Sequence, residues 1–389
     1  MKRRSNSKRH KDEKGDANKQ SSESITSSQG EAQRLLAKRE LNEIHNRAKD
    51  LMTQGRYRQA FEAYVEYGDS MSKTKGLAGA EAVVLEGARK FEELTLWHEA
   101  GNLYLIAANL LSNRGVMPDA GNFYLSAAKD LEKANDNRMR GLIATCYGAA
   151  SQALRGEKGT KESDDALMKG VIAATGKNPV EIESGAYRSF RARDLRTASE
   201  MFHEASSVYT LAIGELSDLT HNMSSGSLAV DVKSVLHHRA AQAHLASAAC
   251  LAAVDREIDA PMSKSSLAAD NFTRAVINFT PLFSLGEAHK VDYRRYSYDL
   301  MMATILRTAV GSLEEIEMLE SQLFSIDKTG RKSLQASGYL TIAQTLMRTK
   351  NIMNAINDLK DLNLGTVDEL KGQVTELLIR LVSAKKGNR

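Results

Sequence analysis

The chain has 389 residues, 42% of them hydrophobic, with only two cysteines and four prolines. That is enough apolar material for a buried core, and the scarcity of proline and of strict apolar/polar alternation excludes a strand-rich fold. The net charge of +4 resides in residues 1–30, which hold eight Lys/Arg against four Asp/Glu; the rest is balanced and lacks the bulk basic surface of a dedicated nucleic-acid binder.

Residues 1–30 have Met1, Ala17 and Ile25 as their only appreciably apolar side chains and end Ser-rich. Such a segment cannot offset its ordering entropy by burial, so a disordered basic tail is expected. It offers an electrostatic contact to nucleic acid or to an anionic membrane surface. A first helix is expected from Glu31 to Met52, ended by Gly55, and a second begins near Tyr57 with Ala60, Phe61, Tyr64 and Val65 on one side. A third covers Gly76–Phe91.

The fourth and fifth helices carry a duplication. Ala100–Ala108 reads AGNLYLIAA and Ala120–Ala128 reads AGNFYLSAA, identical at seven of nine positions. At 3.6 residues per turn, Ala100, Tyr104, Ala107 and Leu111 fall on one stripe, and Ala120, Tyr124, Ala127 and Leu131 repeat it. Small residues admit a close neighbouring helix, and the ring fills the space beside them. Ala60, Ala80, Ala100 and Ala120 keep a twenty-residue step. One helix plus a turn fits that step, and two such units make a helical hairpin of about forty residues.

A sixth helix is expected over Met139–Leu154, followed by a turn at Arg155–Lys161 and a helix over Ser163–Thr175 closed by Gly176. Asn178-Pro179 opens the next, and Leu195–Leu216 forms an amphipathic helix with Ala198, Met201, Phe202 and Ala205. Ser217–Ser227 reads as a polar loop and as the best candidate for a domain boundary. Further helices are expected at Leu228–Val254, Ser263–Thr280, Val291–Gly311, Leu313–Phe324, Lys332–Arg348, Ile352–Leu362 and Val367–Ala384. The fold class is therefore all-α: an α-solenoid of antiparallel helical hairpins ending in a helical bundle. Its expected divisions are a tail (1–30), helical repeats (31–216) and a C-terminal set of repeats or bundle (228–389).

The segments that carry the duplication, WHEAGNLYLIAANLL (Trp97–Leu111) and PDAGNFYLSAAKDL (Pro118–Leu131), resemble helices of the soluble NSF attachment proteins, the SNAP adaptors. GRYRQAFEAY (Gly55–Tyr64) resembles a tetratricopeptide turn, and EAQRLLAKRELNEI (Glu31–Ile44) the first SNAP helix. The resemblance spans Glu31–Leu154. It implies a non-enzymatic adaptor that grips a helical, SNARE-like coiled-coil partner through basic side chains and presents it to a hexameric AAA+ ATPase. Arg89, Lys90, Lys129 and Lys133 are the equivalents it implies for partner binding. Two stretches depart from the family pattern: Thr53–Arg58 is short and polar where the family has an aromatic membrane-inserting loop, and the chain ends in Lys385-Lys386-Gly387-Asn388-Arg389 rather than an acidic tail.

Motifs for chemistry are weak. Gly170–Asn178 (GVIAATGKN) has five residues where a P-loop has four, and Asn178 in place of the hydroxyl that binds magnesium. Asp327–Gly330 (DKTG) lacks the following Thr of a phosphorylated-aspartate motif. His237, His238 and His244 share a helix but have no HExxH or CxxC beside them, and His203-Glu204 is isolated. Cys146 and Cys250 lie among small or apolar residues and read as buried thiols. No apolar run approaches a membrane span, and no apolar core follows the basic N-terminus. The expectation is a non-catalytic, cofactor-free, cytoplasmic protein, with peripheral membrane association as the alternative that residues 1–30 leave open.

Overall fold

The computed structural model describes residues 35–73, 81–155, 160–220, 226–284, 292–310, 318–319 and 338–387. Among the described residues the regular elements are helical and no strand occurs. The chain forms two compact units, one ending at Gly115 and the other beginning at Val116. The first contains α1 (35–53), α2 (Tyr57–Lys73), α3 (Glu81–Glu93) and α4 (Trp97–Asn113). There α3 packs on α4, and α2 on both.

The second unit contains α5 (Met117–Lys133), α6 (Arg140–Arg155), α7 (Thr160–Thr175), α8 (Pro179–Arg191), α9 (Leu195–Thr220), α10 (Gly226–Val254), α11 (Asp259–Ser284) and α12 (Tyr293–Val310). It ends with α13 (Gly338–Thr349), α14 (Ile352–Asp358) and α15 (Lys371–Gly387). Helices pack on their neighbours in sequence: α5 on α6, α6 on α7, α8 on α9, and α9 through α12 in succession. That is the packing of an α-solenoid built from antiparallel hairpins. At the C-terminal end α15 turns back onto α10 and α12, which makes this end a bundle. The return is tied by Arg380, whose guanidinium donates to the carbonyls of Ala252, Asp255 and Arg256 at the end of α10. These are carbonyls that the end of a helix leaves without an internal partner.

The turns explain the repeat. Gly55, Thr95, Gly115, Arg193 and Lys350 each have positive φ (71°, 59°, 79°, 62° and 54°) and each closes a helix. After Gly55, Thr95 and Arg193 the next N–H reaches back across the last helical turn: Arg56 to Leu51 O, Leu96 to Phe91 O and Asp194 to Ser189 O, all at 2.9 Å. These are Schellman closures, which use up the orphan carbonyls of the helix just ended. The following helix starts at once, and its first inward residue is small. That residue, five after the turn residue, is Ala60, Ala100, Ala120, Ala198 or Ala355, and all five are buried. An aromatic follows nine after the turn residue as Tyr64, Tyr104, Tyr124 or Phe202, again buried. α9 thus belongs to the same register as α4 and α5, although Met201 and Phe202 conceal the likeness in sequence. Ala80 lies outside the described residues.

Several boundaries differ from expectation. The helices on either side of 217–227 run further into that stretch, α9 to Thr220 and α10 from Gly226. Across it α9 and α10 pack on each other, and the compact units divide at Gly115/Val116. α11 extends beyond Ser263–Thr280 at both ends, with Pro261 in its first turn, where the missing N–H has no partner to lose. The expected Ile352–Leu362 helix turns 3-10 at Leu359–Asp361, and a 3-10 segment, Gly365–Leu370, precedes α15. Between them the Asp368 carboxylate accepts the Leu364 N–H at 2.9 Å, tightening the backbone locally. The tail 1–30, the Leu313–Phe324 helix apart from 318–319, and Asp327–Gly330 lie outside the described residues.

Candidate functional site

The residues of the duplicated stripe are packing residues. Ala100, Tyr104 and Ala107 in α4 and Ala120, Tyr124 and Ala127 in α5 are all buried. The glycine of the second copy is sterically required: a Cβ on Gly121 would sit 2.7 Å from Leu154 Cγ of α6. In the first unit Tyr64 lies flat on Gly87, where a Cβ would come within 2.8 Å of the ring.

The four basic residues proposed from the resemblance occupy unlike environments. Arg89 and Lys129 are exposed and have no ion-pair partner among the described residues. Lys90 Nζ lies 3.0 Å from Glu86, and Lys133 Nζ 2.8 Å from the buried Asp130. Arg89 and Lys90 belong to the first unit, Lys129 and Lys133 to the second. Arg89 precedes the positive-φ Thr95 by six residues, Lys129 precedes the positive-φ Asn135 by six, and Lys49 precedes Gly55 by six. Lys49, Arg89 and Lys129 thus recur at one position of a forty-residue hairpin, a regularity visible only once the turn residues are located. Lys49 shares Glu86 with Lys90 at 3.5 Å. Burial works against ionisation of Glu86, but Lys90, Lys49 and His45 outweigh it and hold its carboxyl below the ordinary value.

The other motifs resolve into structure. His237 Nδ1 lies 2.9 Å from Asn271 Oδ1, His238 Nδ1 2.5 Å from Asp299 Oδ1, and His244 Nδ1 3.2 Å from Ser206 Oγ. The three histidines therefore address three different partners, and no group of three potential metal ligands is found among the described residues. Glu204 pairs with Lys177 at 2.6 Å. Gly176, at φ 71°, closes α7, and the Asn178 side chain accepts the Val180 and Glu181 N–H groups to start α8. Gly170 lets α7 approach α6, with a Cβ position 3.2 Å from Ala144 O. Burial pushes the Cys146 and Cys250 thiols up to about 12, which leaves them protonated and unreactive.

A cleft of about 490 Å³ opens in the second unit. Its arginines come from three helices: Arg155 at the end of α6, Arg239 on α10, and Arg294 and Arg295 in the first turn of α12. Tyr298 and Tyr339 form an apolar wall with ring centroids 5.6 Å apart and perpendicular planes. Their hydroxyls are committed to backbone, Tyr298 to Leu364 O at 3.2 Å and Tyr339 to Asn363 O at 2.7 Å. The Thr366 hydroxyl donates to Gln242 Oε1 and fixes the rim. Beneath His238 the Asp299 side chain is fully buried. Burial pushes its carboxyl above the ordinary value, opposed by His238 and Arg295.

The two carboxylates of the cleft are engaged. Asp164 Oδ1 lies 3.6 Å from the Arg155 guanidinium, and Asp292 Oδ1 accepts the Arg295 N–H at 3.1 Å as the cap of α12. Arg155 is further steadied by Ser163 Oγ at 3.2 Å from its Nε. Arg294 is exposed, and neither it nor Arg239 has a carboxylate within ion-pair distance among the described residues. Sequence reasoning missed this cleft, because its arginines lie far apart along the chain and match no motif.

No protein-family model and no curated protein matches the chain. Among solved structures, a circular tandem repeat protein with novel repeat topology and enhanced subunit contact surfaces aligns over 89% of each chain at 11% identity, with a TM-score of 0.26. That likeness is too low to carry an argument. The helical-repeat assignment rests on the turns and packing described above. No described helix is long and apolar enough to cross a membrane.

Proposed function

We propose that this protein is a non-enzymatic protein–protein adaptor that binds an acidic helical partner along its N-terminal repeats. The supporting observation lies in the first unit, where Lys49 and Arg89 recur at one hairpin position and Arg89 is exposed and without an ion-pair partner among the described residues; Lys129 holds the same sequence position in the second unit. A basic side chain repeated at the period of the scaffold matches a partner whose charge also repeats, and a coiled coil is such a partner. The resemblance of Trp97–Leu111 and Pro118–Leu131 to SNAP helices extends the reading to presentation of that partner to an AAA+ ATPase. Lys90 and Lys133 are weaker candidates, since each already holds a carboxylate, and Lys49 shares that of Glu86 at 3.5 Å, which leaves Arg89 as the strongest candidate of the first unit.

The test uses the full-length chain and a fluorescent synthetic coiled coil with Glu at its solvent-facing positions. Anisotropy titrations should give binding that weakens as salt rises. The triple variant K49E/R89E/K129E should bind at least tenfold more weakly, while the exposed control K360E should bind as the parent does. Equal binding by the triple variant and the parent would overturn the reading. A preference for a single-stranded oligonucleotide of equal charge would favour nucleic-acid association through residues 1–30 instead.

A further inference from the structure

We propose that the cleft bounded by α6, α10 and α12 binds a multiply charged phosphate group carried by a small molecule. This does not rest on the adaptor reading, since the cleft lies in the second unit and shares no residue with Lys49, Arg89 and Lys129.

Charge comes first. Four arginines and two aspartates line the cleft. Both aspartates are committed, Asp164 to Arg155 and Asp292 to the cap of α12, so neither is free to receive a cationic ligand. The His238–Asp299 pair closes on itself beneath the wall. Arg294 has no ion-pair partner among the described residues, and Arg239, from a different helix, has no carboxylate within ion-pair distance although its charge also acts on Glu183 of α8. Two guanidinium forks on one cavity are the arrangement that recognises phosphate bidentately, which a lysine point charge cannot do. The first turn of the eighteen-residue α12 borders the same cavity and contributes the positive end of its dipole.

Size and rigidity agree. At about 490 Å³ the cleft lies within the range of small-molecule sites. Its walls are set before any ligand arrives, because Tyr298, Tyr339 and Thr366 already spend their hydroxyls inside the protein and Arg155 is held by Ser163 and Asp164. The tyrosine wall and Val235 supply an apolar side against which a ring can lie. Soluble phosphorylated molecules and phosphoinositide headgroups share this chemistry.

The experiment is isothermal titration calorimetry of the full-length protein at low salt with inorganic pyrophosphate, inositol hexakisphosphate and, as an anion of other geometry, citrate. Saturable binding of a phosphate probe is expected, with citrate at least tenfold weaker. R239A/R294A should lose at least tenfold in affinity. R294A alone, at an exposed position, should lose several-fold, and R294K should recover part of it. Helix content by circular dichroism shows that each variant is folded. K360A should bind as the parent does. Vesicles containing phosphatidylinositol bisphosphate separate the sources: retention on vesicles with competition by free inositol hexakisphosphate assigns the headgroup, and binding of free probes alone assigns a soluble ligand. No binding of any phosphate probe, affinity unchanged in R239A/R294A, or a phosphopeptide bound tenfold more tightly than every small probe would overturn the proposal.

Discussion

The Tyr104 hydroxyl donates to Glu92 Oε2 at 2.9 Å, and Glu92 sits three residues before the positive-φ Thr95. Tyr147 does the same to Glu132 at 2.9 Å, three residues before Asn135. In each hairpin a carboxylate stands in the last turn of a helix, where the dipole disfavours it, and a tyrosine of the next helix compensates. Removing the hydroxyl with Tyr104→Phe should cost about 1 kcal/mol, the net worth of one such bond when the acceptor can regain water. Urea denaturation of the two proteins side by side measures it, and an unchanged midpoint would show that the bond contributes nothing.

Two glycines predict opposite outcomes for one substitution. Gly87→Ala places a methyl 2.8 Å from the fully buried Tyr64 ring, which packs edge-on against Phe91. The overpacking cost of roughly 1–3 kcal/mol outweighs the gain in helix propensity of about 1 kcal/mol. Gly214, inside α9, has nothing within 4 Å of its Cβ position. Gly214→Ala should therefore gain up to about 1 kcal/mol. Thermal melts should move down for the first variant and up for the second.

Thr95 holds φ 59° at a turn where its counterparts at 55 and 115 are glycines. The left-handed conformation costs an L-residue roughly 1–2 kcal/mol, while glycine loses about 0.5–1 kcal/mol more entropy on folding. Thr95→Gly should thus stabilise by up to about 1.5 kcal/mol, and Thr95→Ala, which keeps a Cβ, should not. A stabilisation by alanine equal to that by glycine would locate the effect elsewhere than in backbone strain.

These residues also mark what was legible in the sequence. Ala60, Ala100 and Ala120 were readable because the same small residue type recurs at one place after each short turn, and each is buried. The copy in α9 was not, because Phe202 and Ser199 stand where α4 has Tyr104 and Gly101, preserving the packing role while losing identity. Thr95 hid its turn by being neither Gly nor Asn. The cleft was invisible for a different reason: Arg155, Arg239 and Arg294 meet only through the stacking of α6, α10 and α12, and three scattered arginines have no spacing to read. The basic positions taken from the SNAP resemblance could be named but not ranked, since only the coordinates separate the exposed Arg89 and Lys129 from the paired Lys90 and Lys133.

Stability should fall on mild acidification because of His244. Its ring is buried, and its pKa is pushed down to about 4, first by burial and then by His203 and Lys264 nearby. In the unfolded chain a histidine titrates near 6.5, so below that pH the unfolded state takes up the proton before the folded state does. The stabilisation from keeping the ring neutral is complete above about pH 6.5 and is lost as the pH falls toward about 4. The integrated effect is on the order of 3 kcal/mol. His244→Asn keeps a polar partner for Ser206 Oγ, which lies 3.2 Å from His244 Nδ1, and carries no titratable proton. Urea midpoints between pH 7.5 and pH 4 should drop steeply for the parent and less steeply for this variant. Parallel curves would show that the acid sensitivity belongs to other groups, of which the similarly depressed His237 and His203 are the next to replace.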